Sequence, residues 1–375
     1  MVRRLVAISA LVLALAGCSS SQTATSSNPD NATTGCTGTI AVMASDGNNG
    51  ESPSIMNWAR IGLDTFNSEQ HTSFSFASAN VYGNPALAAT EARQLANNPA
   101  VVGVVGPATS SDTTGAGPVF DAAGLAYVSP SATAVALTDG RYPNFFRVVG
   151  DNATEATSIN HLVTGRLPHH HVVVVGDTEN YSRDLTARLM AGLDNGGVSV
   201  TKVVAPEGRP DPAAVVAAVP GSDTTVILAL LQPSDATTYV SALRAAGRTP
   251  AIVAGDALFD LSTFAVPGAY VANYAPDIGQ TPEGRTITSV YAEIFGSLAP
   301  FAATSDVAMQ AVATAALDSC HNGLATRAGV LATLPHLHLR DTVLGYPVSF
   351  TTTHDLVGAR YWLYRIEGRT YQPVP

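Results

Sequence analysis

Residues 101–133 read VVGVVGPATSSDTTGAGPVFDAAGLAYVSPSAT, and this stretch decides the fold class. Val101-Val102-Gly103-Val104-Val105 is a short β-rich run that stops at the polar loop Gly106-Pro107-Ala108-Thr109-Ser110-Ser111. Gly115 to Ala123 then reads as a helix, and Leu125-Ala126-Tyr127-Val128 as the next strand, ending in Ser129-Pro130-Ser131-Ala132-Thr133. Strand, helix and strand in this order, each with a loop after the strand, describe one unit of a parallel sheet.

The alternation extends in both directions. Upstream lie a strand at Thr39 to Ala44, a helix at Ile55 to Asn67, a strand at Phe74 to Ala77 and a helix at Pro85 to Ala96. Downstream, helices are predicted at 155–165, 183–195, 212–218 and 234–246, and strands at 172–175, 198–203, 225–231 and 251–254. Val172 to Val175 shows no polar alternation, as expected of a strand covered on both faces. Such regularity predicts an α/β protein with parallel sheets and right-handed crossovers, with ligands bound past the carboxyl ends of the strands. The last hundred residues depart from the pattern. They hold a long helix at Thr304 to Cys320, the run Pro347 to Phe350, and two strands, Gly358 to Ile366 and Tyr371 to Val374, around a turn at Glu367-Gly368-Arg369.

The chain has 375 residues, 46% of them apolar, enough for two domains. Its first residues place Arg3 and Arg4 ahead of an apolar run, Leu5 to Ala16, that ends in Leu15-Ala16-Gly17-Cys18. This is the pattern of a signal peptide over 1–17, and the run falls short of the roughly 20 apolar residues a membrane span needs. Leu-Ala-Gly-Cys resembles the lipobox of bacterial lipoproteins, which implies a lipid on Cys18 and a place on the outer face of the cytoplasmic membrane. A secretory signal with a chance cysteine is the plainer alternative. Residues 18–35 are almost wholly small and polar and are expected to form a flexible tether. Removing 1–17 takes away two arginines and no acid, so the formal charge moves from −10 to −12. An acidic chain without a basic cluster argues against nucleic acid and anionic membrane surfaces as partners. Cys36 and Cys320 remain, either paired in a disulfide, as an extracytoplasmic setting permits, or as two free thiols.

Three loops carry a family resemblance: Gly106-Pro107-Ala108-Thr109-Ser110-Ser111, Ser129-Pro130-Ser131-Ala132-Thr133, and Phe146-Arg147-Val148-Val149-Gly150-Asp151. In this order they resemble the periplasmic binding proteins of the branched-chain amino acid type, and Gly345 to Phe350 with His354 to Gly358 is similar to that family's closing segment. The resemblance spans Thr39 to Val374. It implies two doubly wound, Rossmann-like lobes joined by three crossovers, with lobe one at 36–150 and 274–358 and lobe two at 151–273 and 359–375. It maps Ser110 and Thr133 onto positions that hold a ligand carboxylate, and Ser131 and Ala132 onto backbone lining the same group. Tyr181 matches a ring that covers the ligand, and Asp256 an acid that accepts its ammonium. Gln232, followed by Pro233, stands where many relatives have an aromatic, which implies a more polar wall. The segment after the first strand, Ser45 to Ser52, lacks the family wording, so that side is open, with Trp58 or a neighbour within reach of the cleft. Each residue also has a structural reading: Ser110, Thr133 and Asp256 as helix caps, Tyr181 as a surface aromatic.

The function implied is that of a monomeric solute-binding subunit that captures an amino acid or related small zwitterion by hinge closure and hands it to an ABC permease. A sensing lipoprotein of the same fold is the alternative, and small amides, urea-like solutes or aromatic acids are alternative ligands. No cofactor is expected. The sequence lacks G-x-S-x-G, P-loop, G-x-G-x-x-G and H-E-x-x-H patterns, which argues against an enzyme. His169-His170-His171 and the pair His336 and His338 read as solvated faces rather than metal ligands.

Overall fold

The computed structural model describes residues 35–47, 53–168, 170–296 and 300–375; the leader, Cys18 and the tether lie outside them, as does His169. The first sheet is built from β1 (Thr37–Ala44), β2 (Ser73–Asn80), β3 (Val101–Val105), β4 (Ala126–Ser129) and β5 (Phe145–Arg147). Between them run α1 (Ser54–Gln70), α2 (Pro85–Asn97) and α3 (Ser110–Ala122). The strands pair in parallel in the order β2-β1-β3-β4-β5.

The chain then enters a second layer through α4 (Asn152–Arg166), β6 (His171–Gly176), α5 (Asn180–Asn195), β7 (Ser199–Val204), α6 (Pro212–Ala218), β8 (Thr224–Ala229), α7 (Pro233–Ala245), β9 (Ala251–Ala254) and β10 (Tyr270–Asn273). It returns to the first layer with α8 (Pro282–Phe295), α9 (Thr304–Asp318), α10 (Arg327–Thr333) and the short antiparallel pair β11 (His338–Leu339) and β12 (Val348–Ser349). Finally β13 (Trp362–Glu367) and β14 (Thr370–Pro373) join the far edge of the second sheet, whose order is β14-β13-β10-β9-β8-β6-β7. The chain thus passes between the sheets near 148–151, 274–281 and 357–361. This is the α/β architecture with parallel strands that the alternation predicts, in the two lobes that the resemblance implies, except that β13 and β14 add to the second sheet in antiparallel pairings.

The central strands of both sheets are buried on both faces, which explains why they read as continuous apolar runs. Along β1, Ile40, Val42 and Ala44 pack into one cluster and Ala41 and Met43 into another. Along β6, Val173 and Val175 face one side and Val172 and Val174 the other. A strand's two-residue period sends neighbours to opposite faces, and here each face meets a layer of helices.

Several elements differ from the sequence-based expectation. Helix α3 begins at Ser110 rather than Gly115, because Thr109 caps it by accepting the Asp112 N–H and the polar first turn is buried against its neighbours. Gly115 lets α2 approach: a Cβ there would lie 2.0 Å from the Pro85 carbonyl oxygen. Strands β5 and β10 and helices α8 and α10 add to the elements that the sequence predicts; the strands are too short to show a period. The last hairpin is where the sequence places its turn, with Gly368 at φ 63° between Glu367 and Thr370, but its first strand starts at Trp362 rather than Gly358.

Cys36 and Cys320 form a disulfide with a Cα–Cα distance of 6.0 Å, tying the start of β1 to the end of α9. His336 and His338 are exposed on either side of buried Leu337, and His170 is also exposed. Among the described residues no group of His, Cys, Asp and Glu could hold a metal ion, and no helix is long and apolar enough to cross a membrane.

One buried acid has a measurable consequence. Asp306 on α9 is fully buried opposite Gly62 of α1; its Oδ2 accepts from Gln310 at 3.0 Å, while its Oδ1 has no hydrogen-bond partner among the described residues. Burial pushes its carboxyl up to about 7. A raised carboxyl gives stability that is complete below its unfolded value and is lost as pH rises through the folded one. Asp306→Asn is therefore expected to melt with the wild type at pH 4 and to exceed it by about 1–3 kcal/mol at pH 8. Parallel pH profiles for the two proteins in denaturant titrations would refute this.

Candidate functional site

In the first sheet the strand order reverses between β1 and β3, and in the second between β6 and β8. Such switch points leave a crevice past the carboxyl ends of the strands, where neighbouring loops turn opposite ways. A cavity of about 120 Å³ lies there. The first layer contributes Ser45 after β1, Ala108, Thr109 and Ser110 after β3, and Ser131 after β4; the second contributes Tyr181 after β6, Leu231 and Pro233 after β8, Asp256 after β9 and Tyr274 after β10. Each of these side chains sits where a strand ends, so the sheets themselves set their positions.

Four of the candidate residues therefore line one cavity: Ser110, Ser131, Tyr181 and Asp256. Ser110 is the first residue of α3 and not its cap. Its Oγ accepts the Ala134 N–H at 3.2 Å, which leaves its own hydrogen to donate. Ser131 Oγ donates to the Ala108 carbonyl at 2.7 Å and fastens the second loop to the first. Ala132 is buried and its N–H is held by Ser129 Oγ at 2.9 Å. Thr133 is buried with an Oγ1 that has no partner among the described residues. Neither Ala132 nor Thr133 is part of the lining, and nor is Gln232. The Gln232 side chain donates to Glu207 Oε1 at 2.9 Å, while its neighbours Leu231 and Pro233 face the cavity. On the open side, Ser45, Ser54 and Ile55 reach the cavity; Trp58 does not, being fully buried and stacked on Tyr291 at 4.7 Å in the core of the first layer.

Asp256 is 5% exposed, and its Oδ2 accepts the Tyr361 hydroxyl at 2.8 Å. Its backbone N–H is bonded to Glu155 Oε1 at 2.8 Å, which also receives the Tyr181 hydroxyl at 3.4 Å. Burial raises the carboxyls of both Asp256 and Glu155, and the Asp256 charge raises Glu155 further. Gly255 permits this crowding, since a Cβ there would sit 2.3 Å from the Tyr181 hydroxyl. Glu155, Tyr361 and Tyr274 escape a reading of the sequence because Glu155 lies inside a helix, Tyr361 precedes a strand rather than following one, and Tyr274 follows β10, a strand too short to show a period. Glu155 reads there as one more polar position on α4.

The two layers touch beside the cavity. Glu179 of the second layer accepts the Ser111 N–H at the start of α3 at 3.0 Å, and Asn180 Nδ2 donates to Thr114 Oγ1 at 3.2 Å. Farther along, Asp184 Oδ2 accepts the Val135 N–H at 3.1 Å. Glu179 is buried by this contact, which pushes its carboxyl up to about 7 against the pull of its hydrogen bonds. The arrangement offers hydroxyls on one wall and two acids, Asp256 and Asp260, on the other, and holds no lysine, arginine or histidine among its described lining residues.

The sequence matches the periplasmic binding protein family over residues 38–370. An amino acid binding protein of Pseudomonas aeruginosa is 25% identical over 214 residues, which is 55% of this chain and 57% of the relative, so the match spans little more than half of that protein. Among solved structures, the branched-chain amino acid transporter substrate binding protein LivJ of Streptococcus pneumoniae, in complex with isoleucine, superposes with a TM-score of 0.78 at 20% identity. That superposition covers 90% of this chain and 99% of LivJ. A solute binding protein of an ABC transporter from R. palustris, in complex with benzoate, gives a TM-score of 0.75 at 14% identity over 90% of this chain and 95% of its own.

Proposed function

The chain belongs to the periplasmic binding protein family, and on that premise we propose that it is the solute-binding lipoprotein of an ABC importer, capturing an amino acid or related small zwitterion. The observation that carries the reading is the cavity at both switch points, with Ser110 and Asp256 on facing layers. A zwitterion has an anionic and a cationic end; hydroxyls and the start of α3 suit the first, and a buried carboxylate suits the second. Without a cationic side chain in the lining, a solute with two negative groups would meet no countercharge. Relatives of this fold are described with isoleucine and with benzoate, so fold alone leaves the side-chain end of the ligand open.

Capture would work by closure. Glu179, Asn180 and Asp184 bond across to Ser111, Thr114 and Val135 only when the layers meet, and a solute bridging Ser110 and Asp256 adds its own bonds to the same closed form. The lobes divide at the three passages between the sheets. The anchor is Cys18, which places the protein outside the cytoplasmic membrane beside its permease.

Two measurements test this. Calorimetry of the soluble body from residue 36 onward, against the amino acids and small amides, is expected to give saturable heat with a solute bearing one ammonium and one carboxylate. Heat only with solutes that lack an amine would sink the zwitterion reading. In cells, Cys18→Ala is expected to move the protein from the membrane to the soluble fraction, and an unchanged distribution would remove the lipid anchor.

A further inference from the structure

Behind Asp256 lies a second carboxyl that the capture of a zwitterion does not require. Glu155 is fully buried near the start of α4. Its Oε1 is occupied by the Asp256 N–H and the Tyr181 hydroxyl, while its Oε2 has no hydrogen-bond partner among the described residues. The groups that face it come from every element around it: Asp256 from the turn after β9, Tyr181 from α5, Tyr361 from the approach to β13 and Tyr274 from the end of β10. All are acidic or neutral. Among the described residues neither Glu155 nor Asp256 has a salt bridge to Lys, Arg or His.

Two largely buried carboxylates side by side without a cation do not readily both ionise. Which one keeps the proton follows from their partners. Asp256 accepts a tyrosine hydroxyl and reaches the cavity, and both favour its charged form. Glu155 would have to bury a charged Oε2 with no donor, whereas as the acid its carboxyl gains a hydrogen to donate to the neighbouring Asp256 side chain. We propose that Glu155 is a positioning residue held as an uncharged acid, donating its proton to Asp256 so that the pair presents one fixed negative charge to the single positive group of the solute. The positioning role rests on Asp256 being the amine site. It deepens that site's selectivity: the pair itself carries one negative charge, with Asp260 a separate acid of the lining, and a second ammonium held by the pair would have to expel the shared proton.

The infrared difference spectrum of wild type minus Glu155→Gln at pH 7, recorded without ligand, is expected to show the carbonyl stretch of a protonated carboxylic acid. The same band is expected to fade as pH is raised. Glu155→Gln keeps the shape and a donor, so it should bind the best amine-bearing solute from the calorimetric screen within about threefold of wild type, with a flatter pH profile. Glu155→Ala, which leaves Asp256 without its donor, should weaken that binding more than tenfold. A difference spectrum with no such band overturns the proposal, as does a Gln variant that binds as poorly as the Ala variant while melting with the wild type. The infrared measurement needs no ligand, so its failure is distinct from an absence of heat with every amine, which would sink the reading of Asp256 instead.

Discussion

Asp256→Ala is expected to weaken solute binding by about 2–4 kcal/mol, a factor of about thirty to a thousand in Kd. The acid is buried between the layers, held by the Tyr361 hydroxyl, and forms part of a lining without a competing cation. Truncation leaves an ammonium desolvated and unpaired, and that loss exceeds the worth of an exposed ion pair, about 0–1 kcal/mol. Asp256→Asn separates the two contributions, because it keeps the shape and an acceptor while removing the charge; it should recover part of the loss. Ser110→Ala removes one neutral donor from the opposite wall and should cost about 1–2 kcal/mol. Calorimetric titration of the three variants decides the matter. Equal affinity in wild type and Asp256→Ala would return Asp256 to a purely structural role in the turn after β9.

The largest loss of stability is expected at Arg147. Its side chain is fully buried, with Nε and Nη2 bonded to Asp355 Oδ1 at 2.7 and 2.6 Å, Nη1 to the Ala134 carbonyl at 2.9 Å and Nη2 to Thr138 Oγ1 at 2.9 Å. Its N–H donates to the His354 carbonyl, and the His354 ring stacks on Phe146 at 3.9 Å. One guanidinium therefore ties the end of β5, the loop after β4 and the turn before β13, where the chain passes between the layers. Arg147→Ala would strand a partly buried carboxylate and a buried carbonyl and open a cavity, at a cost of about 3–5 kcal/mol. Arg147→Lys keeps the charge without the planar fork and should fall between the two. Denaturant midpoints for the three proteins are the measurement. A midpoint for Arg147→Ala equal to the wild type's would mean that the passages are held by packing alone.

These residues differ in how far the sequence exposes them. The strand-end loops Gly106 to Ser111 and Ser129 to Thr133 are legible because a parallel sheet puts ligand residues at strand ends and the strands announce themselves as apolar runs. Ser110 and Thr133 stand out for that reason, while Ser131, Ala132, Tyr181, Gln232 and Asp256 come from the family resemblance; the cavity lining holds Ser110, Ser131, Tyr181 and Asp256 and not the other three. Arg147 stands within a sequence motif, but nothing in the motif shows that its guanidinium bonds to Asp355, Ala134 and Thr138 at once. Strands β5 and β10, of three and four residues, carry no period and exist only by pairing with neighbours already in place.

The sequence by itself determined the alternation of strands and helices, and with it parallel strand pairing with ligand loops at the carboxyl ends, since local periodicity records which faces are buried. Tertiary structure alone decided which side chains meet across the cleft. Glu155 and Asp256 stand 101 residues apart, and Tyr361 105 beyond Asp256. Gln232 turns to Glu207 and leaves Pro233 at the wall, and Trp58 enters the core while Ser54 and Ile55 reach the cavity. The reason is physical: burial is written into a segment's own pattern, whereas the partner that shares a proton or fills a wall is set by how separate segments pack.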